Sequence, residues 1–170
     1  PKSCCARCVN PGTRAKNNHA GPVMVDEAAY RRTQAEVNRL PCVFKAALLA
    51  RQAVCELSVR HSVAEREVLA CSQAPAHLNC ETLERLFLER ATFPLKLHPG
   101  APLTHGTVMR LHCGGLRGLQ QVLDAPQPDV HRLVVQAQVE HGSLVQLPWE
   151  HIVAQILATQ PRRRASAPDV

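Results

Sequence analysis

A scarcity of aromatic side chains constrains this chain more than any other feature. Three Phe, one Trp and one Tyr are spread over 170 residues, so the interior has to be built from Leu, Val and Ala. Sheets packed face to face draw on aromatic and β-branched residues, whereas Leu and Ala are among the strongest helix formers. Hydrophobic residues make up 45% of the chain, enough for one core, and the length suits one domain of that kind. The expectation is a mainly α protein: a compact helical domain with a small two-strand β element in the middle and disordered ends.

Punctuation by Pro, Gly and Asn divides the chain. Residues 1–23 carry Asn10-Pro11-Gly12, Asn17-Asn18 and Gly21-Pro22, which is loop chemistry, and read as a flexible basic leader. Its Cys4, Cys5 and Cys8 supply half of a zinc knuckle with no second half nearby. A single domain is expected over 24–160, followed by a basic, Pro/Ala/Ser-containing tail over 161–170. Within the domain, the periodicity predicts helices over Glu27–Val37 and Cys42–Ser58, the latter opened by Pro41. Ser62-Val63-Ala64-Glu65 has capping-box spacing and predicts a short helix ending near Cys71. Ser72–Asn79 reads as a loop, with Asn79 capping a helix over Cys80–Ala91. Phe93–His98 and Thr107–His112 alternate like strands. Further helices are predicted over Leu116–Leu123, over Val130–His141 capped by Asp129, and over Trp149–Thr159 opened by Pro148.

The net charge of +6 argues less for nucleic acid than it first suggests. Lys2, Arg7, Arg14 and Lys16 stand in the leader without an acid, and Arg162, Arg163 and Arg164 face only Asp169 in the tail. Residues 24–159 hold 13 basic and 13 acidic side chains. A folded nucleic-acid-binding face carries its own basic excess, so the core is not expected to bind nucleic acid. No apolar stretch predicts a membrane span or a signal segment, and the expected compartment is the reducing cytoplasm, where cysteines stay thiols.

Against that background four cysteines stand out. Cys42, Cys55, Cys71 and Cys80 fall within 39 residues, which raises the question of a shared metal or cluster. They form no CxxC pair, the usual start of a closed zinc site. Long, irregular separations suit an iron–sulfur cluster better, because four thiolates from separate elements hold it. The expected cofactor is therefore an iron–sulfur cluster of the 4Fe-4S type, with zinc as the alternative. If Cys42–Ser58 is one unbroken helix, Cys42 and Cys55 lie about 20 Å apart. Cys42 is then excluded and Cys113 becomes the fourth ligand; a break in that helix restores Cys42.

Cys113 also supports a separate expectation. It precedes Gly114-Gly115, read as a turn entering a helix, where backbone N–H groups lower a thiol pKa. His98, His105 and His112 are its candidate bases. No Walker loop, GxGxxG or GxSxG pattern is present. The favoured function is a small accessory protein holding an iron–sulfur cluster for electron transfer, redox sensing or structure, with a protein partner or larger complex. The alternatives are a metal-free helical adaptor that touches an acidic partner or RNA through its basic ends, and a Cys113-dependent enzyme.

Overall fold

Pro75 locates the longest helix. Its ring fixes φ and its missing N–H costs nothing in a first helical turn, and in the computed structural model the helix begins at Ala74 and runs to Thr92. Residues 38–160 are described, apart from 64, 65 and 99, together with Ala28 and Arg32. The leader 1–23 with Cys4, Cys5 and Cys8, the tail 161–170 and nearly all of the first predicted helix lie outside the described residues. The described chain is mainly α-helical with one two-stranded antiparallel sheet.

In chain order the elements are α1 (Lys45–Leu49), β1 (Ser58–Val63), β2 (Arg66–Cys71), α2 (Ala74–Thr92) and α3 (His105–Met109). A π-helical segment (Arg110–Gly114) then leads into α4 (Gly115–Val122), followed by α5 (Val130–His141), a 3-10 turn (Leu144–Gln146) and α6 (Trp149–Ala158). Asp129 caps α5 by accepting the Arg132 N–H at 3.1 Å, as its position in the sequence predicts. Pro148 opens the last helix, again as expected.

The strands are elsewhere than alternation suggests. Phe93–His98 is a run of turns in which Lys96 takes φ 54°, and Thr107–His112 is helical. The hairpin is instead Ser58–Val63 against Arg66–Cys71, in a register that pairs Ser58 with Cys71 and Val63 with Arg66. It replaces the helix predicted from Ser62: Ser62 and Val63 close β1, and Arg66 already begins β2. Val59, Val63 and Val68 are β-branched and sit more easily on a pleated strand than on a short helix. The predicted helix Cys42–Ser58 is reduced to the five residues of α1. Arg51 turns back with φ 56°, and Val54 forms a parallel bridge with Asp129. A pairing across 75 residues has overridden local propensity here.

A third row completes the sheet layer. Pro41 pairs with Ala70; Cys42 N–H donates to the Leu69 carbonyl at 2.8 Å and Cys71 N–H to the Leu40 carbonyl at 2.7 Å. β2 is thus flanked on both edges, and Val68, Leu69 and Ala70 are all buried. Pro41 opens no helix; it lies where its missing N–H is not needed by the ladder.

The core sits among α2, the continuous α3–α4 helix, α5 and α6. Leu83, Phe87, Leu111, Leu116, Leu119, Leu133, Ile152 and Ile156 are essentially inaccessible to solvent. Two glycines make this density possible. A Cβ on Gly114 would stand 2.7 Å from the Ile156 Cα, and one on Gly115 would stand 2.5 Å from the Phe87 ring. The double glycine therefore serves close helix approach, with helical φ at both positions, and is no turn. Phe44 and Phe87 meet edge-on at 6.0 Å, as do Phe87 and Trp149 at 6.1 Å. Phe44 and Phe87 are fully buried within the core, and aliphatic side chains fill most of the rest.

Candidate metal centre

Cys42, Cys55, Cys71 and Cys80 line one small apolar pocket, together with Phe44, Leu57, Ala70, His77 and Val130. Each arrives from a different element. Cys42 and Cys71 stand on neighbouring rows of the sheet layer. With Pro41 opposite Ala70, Cys42 faces Leu69 and Cys71 faces Leu40. Strand alternation then puts both cysteines on the same face as diagonal neighbours. Cys55 lies in the turn before β1, its carbonyl held by the Ser58 N–H at 3.1 Å and the Ser58 hydroxyl at 2.8 Å. Cys80 comes from α2, one turn beyond His77 and on the side that also carries Leu83 and Phe87.

The geometric objection to Cys42 dissolves with the helix that raised it. Because α1 stops at Leu49 and the chain turns at Arg51, Cys42 and Cys55 come back to the same pocket. Cys113 does not line it.

Backbone N–H groups are aimed at two of the sulfurs. The Phe44 N–H favours the thiolate form of Cys42, and the Leu57 and His131 N–H groups favour that of Cys55. The His131 amide belongs to the first turn of α5, so Cys55 sits at the positive end of that helix. Cys71 is itself a donor, its Sγ 3.3 Å from the Gln73 carbonyl. Burial pushes the Cys42 thiol up to about 11, against the Phe44 N–H and with help from Cys55 and Cys71. Burial pushes Cys80 up to about 12, reinforced by Cys55, Cys42 and Cys71. Cys55 is also raised, chiefly by burial. Unliganded, these groups are neutral thiols. A bound cation would reverse that preference, since a coordinated thiol is deprotonated outright.

Polar ties hold the pocket's walls. His77 Nε2 donates to the Pro41 carbonyl at 2.9 Å, joining α2 to the segment that carries Cys42. Asp129 accepts the Glu56 N–H at 2.9 Å, beside Cys55. The Glu56 carboxylate meets His131 Nδ1 at 2.7 Å and the Arg132 guanidinium at 3.1 Å; those two partners hold it below the usual carboxylate range. None of the three was singled out from the sequence as a site residue. Pro75 was the available signal for His77, because a helix starting there sets His77 and Cys80 three residues apart on one face. The sequence marked Asp129 only as a helix cap and gave no local mark for Glu56, because the bond between them spans 73 residues.

The enclosed space is about 20 Å³, room for roughly one water. Among the described residues, no group of three or more Cys, His, Asp or Glu side chains is arranged to hold a metal ion. The four thiols thus share a pocket without being drawn onto one point.

Cys113 lies inside the π-helical segment, buried, facing a separate cavity of about 440 Å³ that is also lined by His105, Met109, Arg117, Gln52 and Thr159. The helix runs straight through it, so the free N–H groups expected of a helix start are missing. Burial raises its thiol, opposed by Arg117. His112 points away: its Nε2 is 3.0 Å from Glu84 Oε1 and its ring stands edge-on to Phe44. His98 is exposed and does not line the cavity, which leaves His105 as the candidate base that shares it. Among the described residues no helix is long and apolar enough to cross a membrane. No protein-family model matches the sequence, and no curated protein or solved structure matches it.

Proposed function

We propose that this is a small accessory protein whose Cys42, Cys55, Cys71 and Cys80 hold an iron–sulfur cluster, serving electron transfer, redox sensing or a structural role within a larger assembly. The observation that carries the reading is the convergence of four thiols from four separate elements on one apolar pocket. The N–H donors at Cys42 and Cys55 add to it. Amides near sulfur stabilise thiolate ligands and tune a cluster's potential. When bound, the cluster supplies a one-electron redox centre. The chain's own part is to provide four ligands, a dry wall and oriented amides.

The narrow space favours a second reading, zinc, which is smaller than a cluster. Taking up a cluster requires the walls of the pocket to part.

Metal analysis of the full chain purified without oxygen separates these readings. The expected result is brown protein with iron and acid-labile sulfide in equal amounts and broad absorption near ~400 nm. Cys71→Ser and Cys80→Ser should each abolish it, and Cys42→Ser and Cys55→Ser should weaken or abolish it, while Cys113→Ser leaves it in place. Zinc alone, at one per chain, would install the second reading. Protein without iron, sulfide or zinc, with every thiol open to alkylation once unfolded, would end the metal reading and leave the helical adaptor.

A further inference from the structure

The cavity of about 440 Å³ beside Arg117 has no part in the metal reading. Its volume falls within the range of small-molecule sites, about 300–1,000 Å³, and far exceeds the 20 Å³ of the cysteine pocket. Three parts of the fold enclose it. One wall is the helix from His105 to Val122, which contributes His105, Met109, Cys113 and Arg117, each four residues after the last. A second is the turn after α1, where Gln52 is fixed by donating its N–H to the Ala47 carbonyl at 2.9 Å. The third is the end of α6, where the Thr159 N–H and hydroxyl both donate to the Gln155 carbonyl.

The π turn at Arg110–Gly114 is the reason one helix lines so much of the cavity. Twelve residues of regular α-helix would set His105 and Arg117 about 120° apart. The π turn takes in one residue without added rotation, which cuts that angle to about 20°. Such turns are rare, and they are frequent at functional sites.

Arg117 is the one permanent charge on the lining among the described residues, and no Asp or Glu joins it there. Its guanidinium donates to Gln52 Oε1 at 3.0 Å. That bond uses the acceptor of the amide and leaves the Gln52 NH2 beside the guanidinium as a second donor. A planar fork next to an amide suits a carboxylate, whose two oxygens accept from both. Burial raises the Cys113 thiol and the Arg117 charge opposes that rise, so the charge is felt within the cavity. Met109, Ala158 and the neutral thiol of Cys113 supply an apolar surface next to the donors.

We propose that this cavity binds a small monocarboxylic acid with an apolar body, its carboxylate on Arg117 and Gln52 and its body against Met109 and Cys113. One cation on the lining matches one charge on the ligand, and a second buried carboxylate would lack a partner.

The full chain is titrated with hexanoate, and with hexanamide as its uncharged match, while amide NMR shifts are followed. Hexanoate should give saturable shifts at Cys113, Arg117 and Thr159, with half-saturation at about 1 mM or below, and should slow alkylation of Cys113. Hexanamide should bind about tenfold more weakly, because it forgoes the charge-assisted pair. Arg117→Met keeps the length of the stem and removes the charge, whereas Gln52→Glu sets a carboxylate where the ligand's own belongs. Each should weaken hexanoate about tenfold and leave hexanamide within about twofold, with unchanged helical circular dichroism. If one variant does not fold, the other carries the test. Equal affinity for the two probes, or a change below about threefold in hexanoate binding by the folded variants, would overturn the assignment. So would the absence of saturable shifts at these residues up to ~10 mM. Either failure leaves the iron–sulfur reading untouched, because none of its four cysteines lines this cavity.

Discussion

The sheet side of the molecule, residues 38–72, and the helical side, residues 74–158, are held together by different forces. On the helical side, aliphatic side chains interlock at close range, and Gly114 and Gly115 let backbones touch rings and backbones directly. The sheet side gives fewer residues to the common core, among them Phe44, Ala47, Leu48, Ala53 and Leu69. It is attached by polar ties: His77 to Pro41 and Asp129 to Glu56. Apolar packing is broad and insensitive to any one hydrogen bond, whereas polar ties act point by point. All four candidate ligands border the joint between the two sides, so metal there would add the strong link that the sheet side lacks.

Four measurements test that contrast. Phe87→Ala should have the largest effect, because Phe87 is fully buried and touches Phe44 and Trp149. A loss of about 3–5 kcal/mol in denaturant unfolding is expected; a loss below about 1 kcal/mol would show that the helical side does not depend on close packing. Gly114→Ala should come next, at about 1–3 kcal/mol. The new Cβ would meet the Ile156 Cα and the Gln155 carbonyl, which are backbone and cannot swing aside.

His77→Ala removes one tie and strips the Pro41 carbonyl of its partner, at about 1–3 kcal/mol. Its signature is local: amide exchange should rise at Cys42 and Cys71, whose N–H groups bond across that row, and stay unchanged in α6. A uniform rise would mean that the two sides open as one unit. Phe93→Ser should be smallest. The ring is 91% exposed, and the melting temperature should stay within the range of ordinary surface substitutions, about 0.5 kcal/mol either way.

The two sides also differed in how far the sequence disclosed them. The last two helices were legible because a cap or a proline marks each start and apolar residues follow at helical spacing. The stretch from Cys42 to Cys71 misled, since Ala, Leu and Val runs suit helix and strand alike until a partner strand decides between them. That partner is distant: Leu40 for Cys71, Asp129 for Val54. The four cysteines were visible by number and irregular spacing, and they do border one pocket. What could not be read was the break at Arg51 that brings Cys42 back beside Cys55, or the carboxylate of Asp129 that reaches across from α5.

The π-helical turn at Arg110–Gly114 carries a consequence for how this chain can change length. A π turn holds an extra residue within an otherwise α-helical course. Deleting one residue there would restore a regular α-helix and leave the flanking residues in nearly the same phase, because the residues of a π turn cover about the same rotation as one fewer residue of α-helix. A deletion in the regular part of the helix would instead rotate everything after the cut by about 100°. Leu116 and Leu119 would leave the core, and Gly118, whose Cβ position lies 2.8 Å from the Ile152 Cα, would turn away from α6. Along the helix from His105 to Val122, the π turn is thus where one residue can be removed with both faces kept in register.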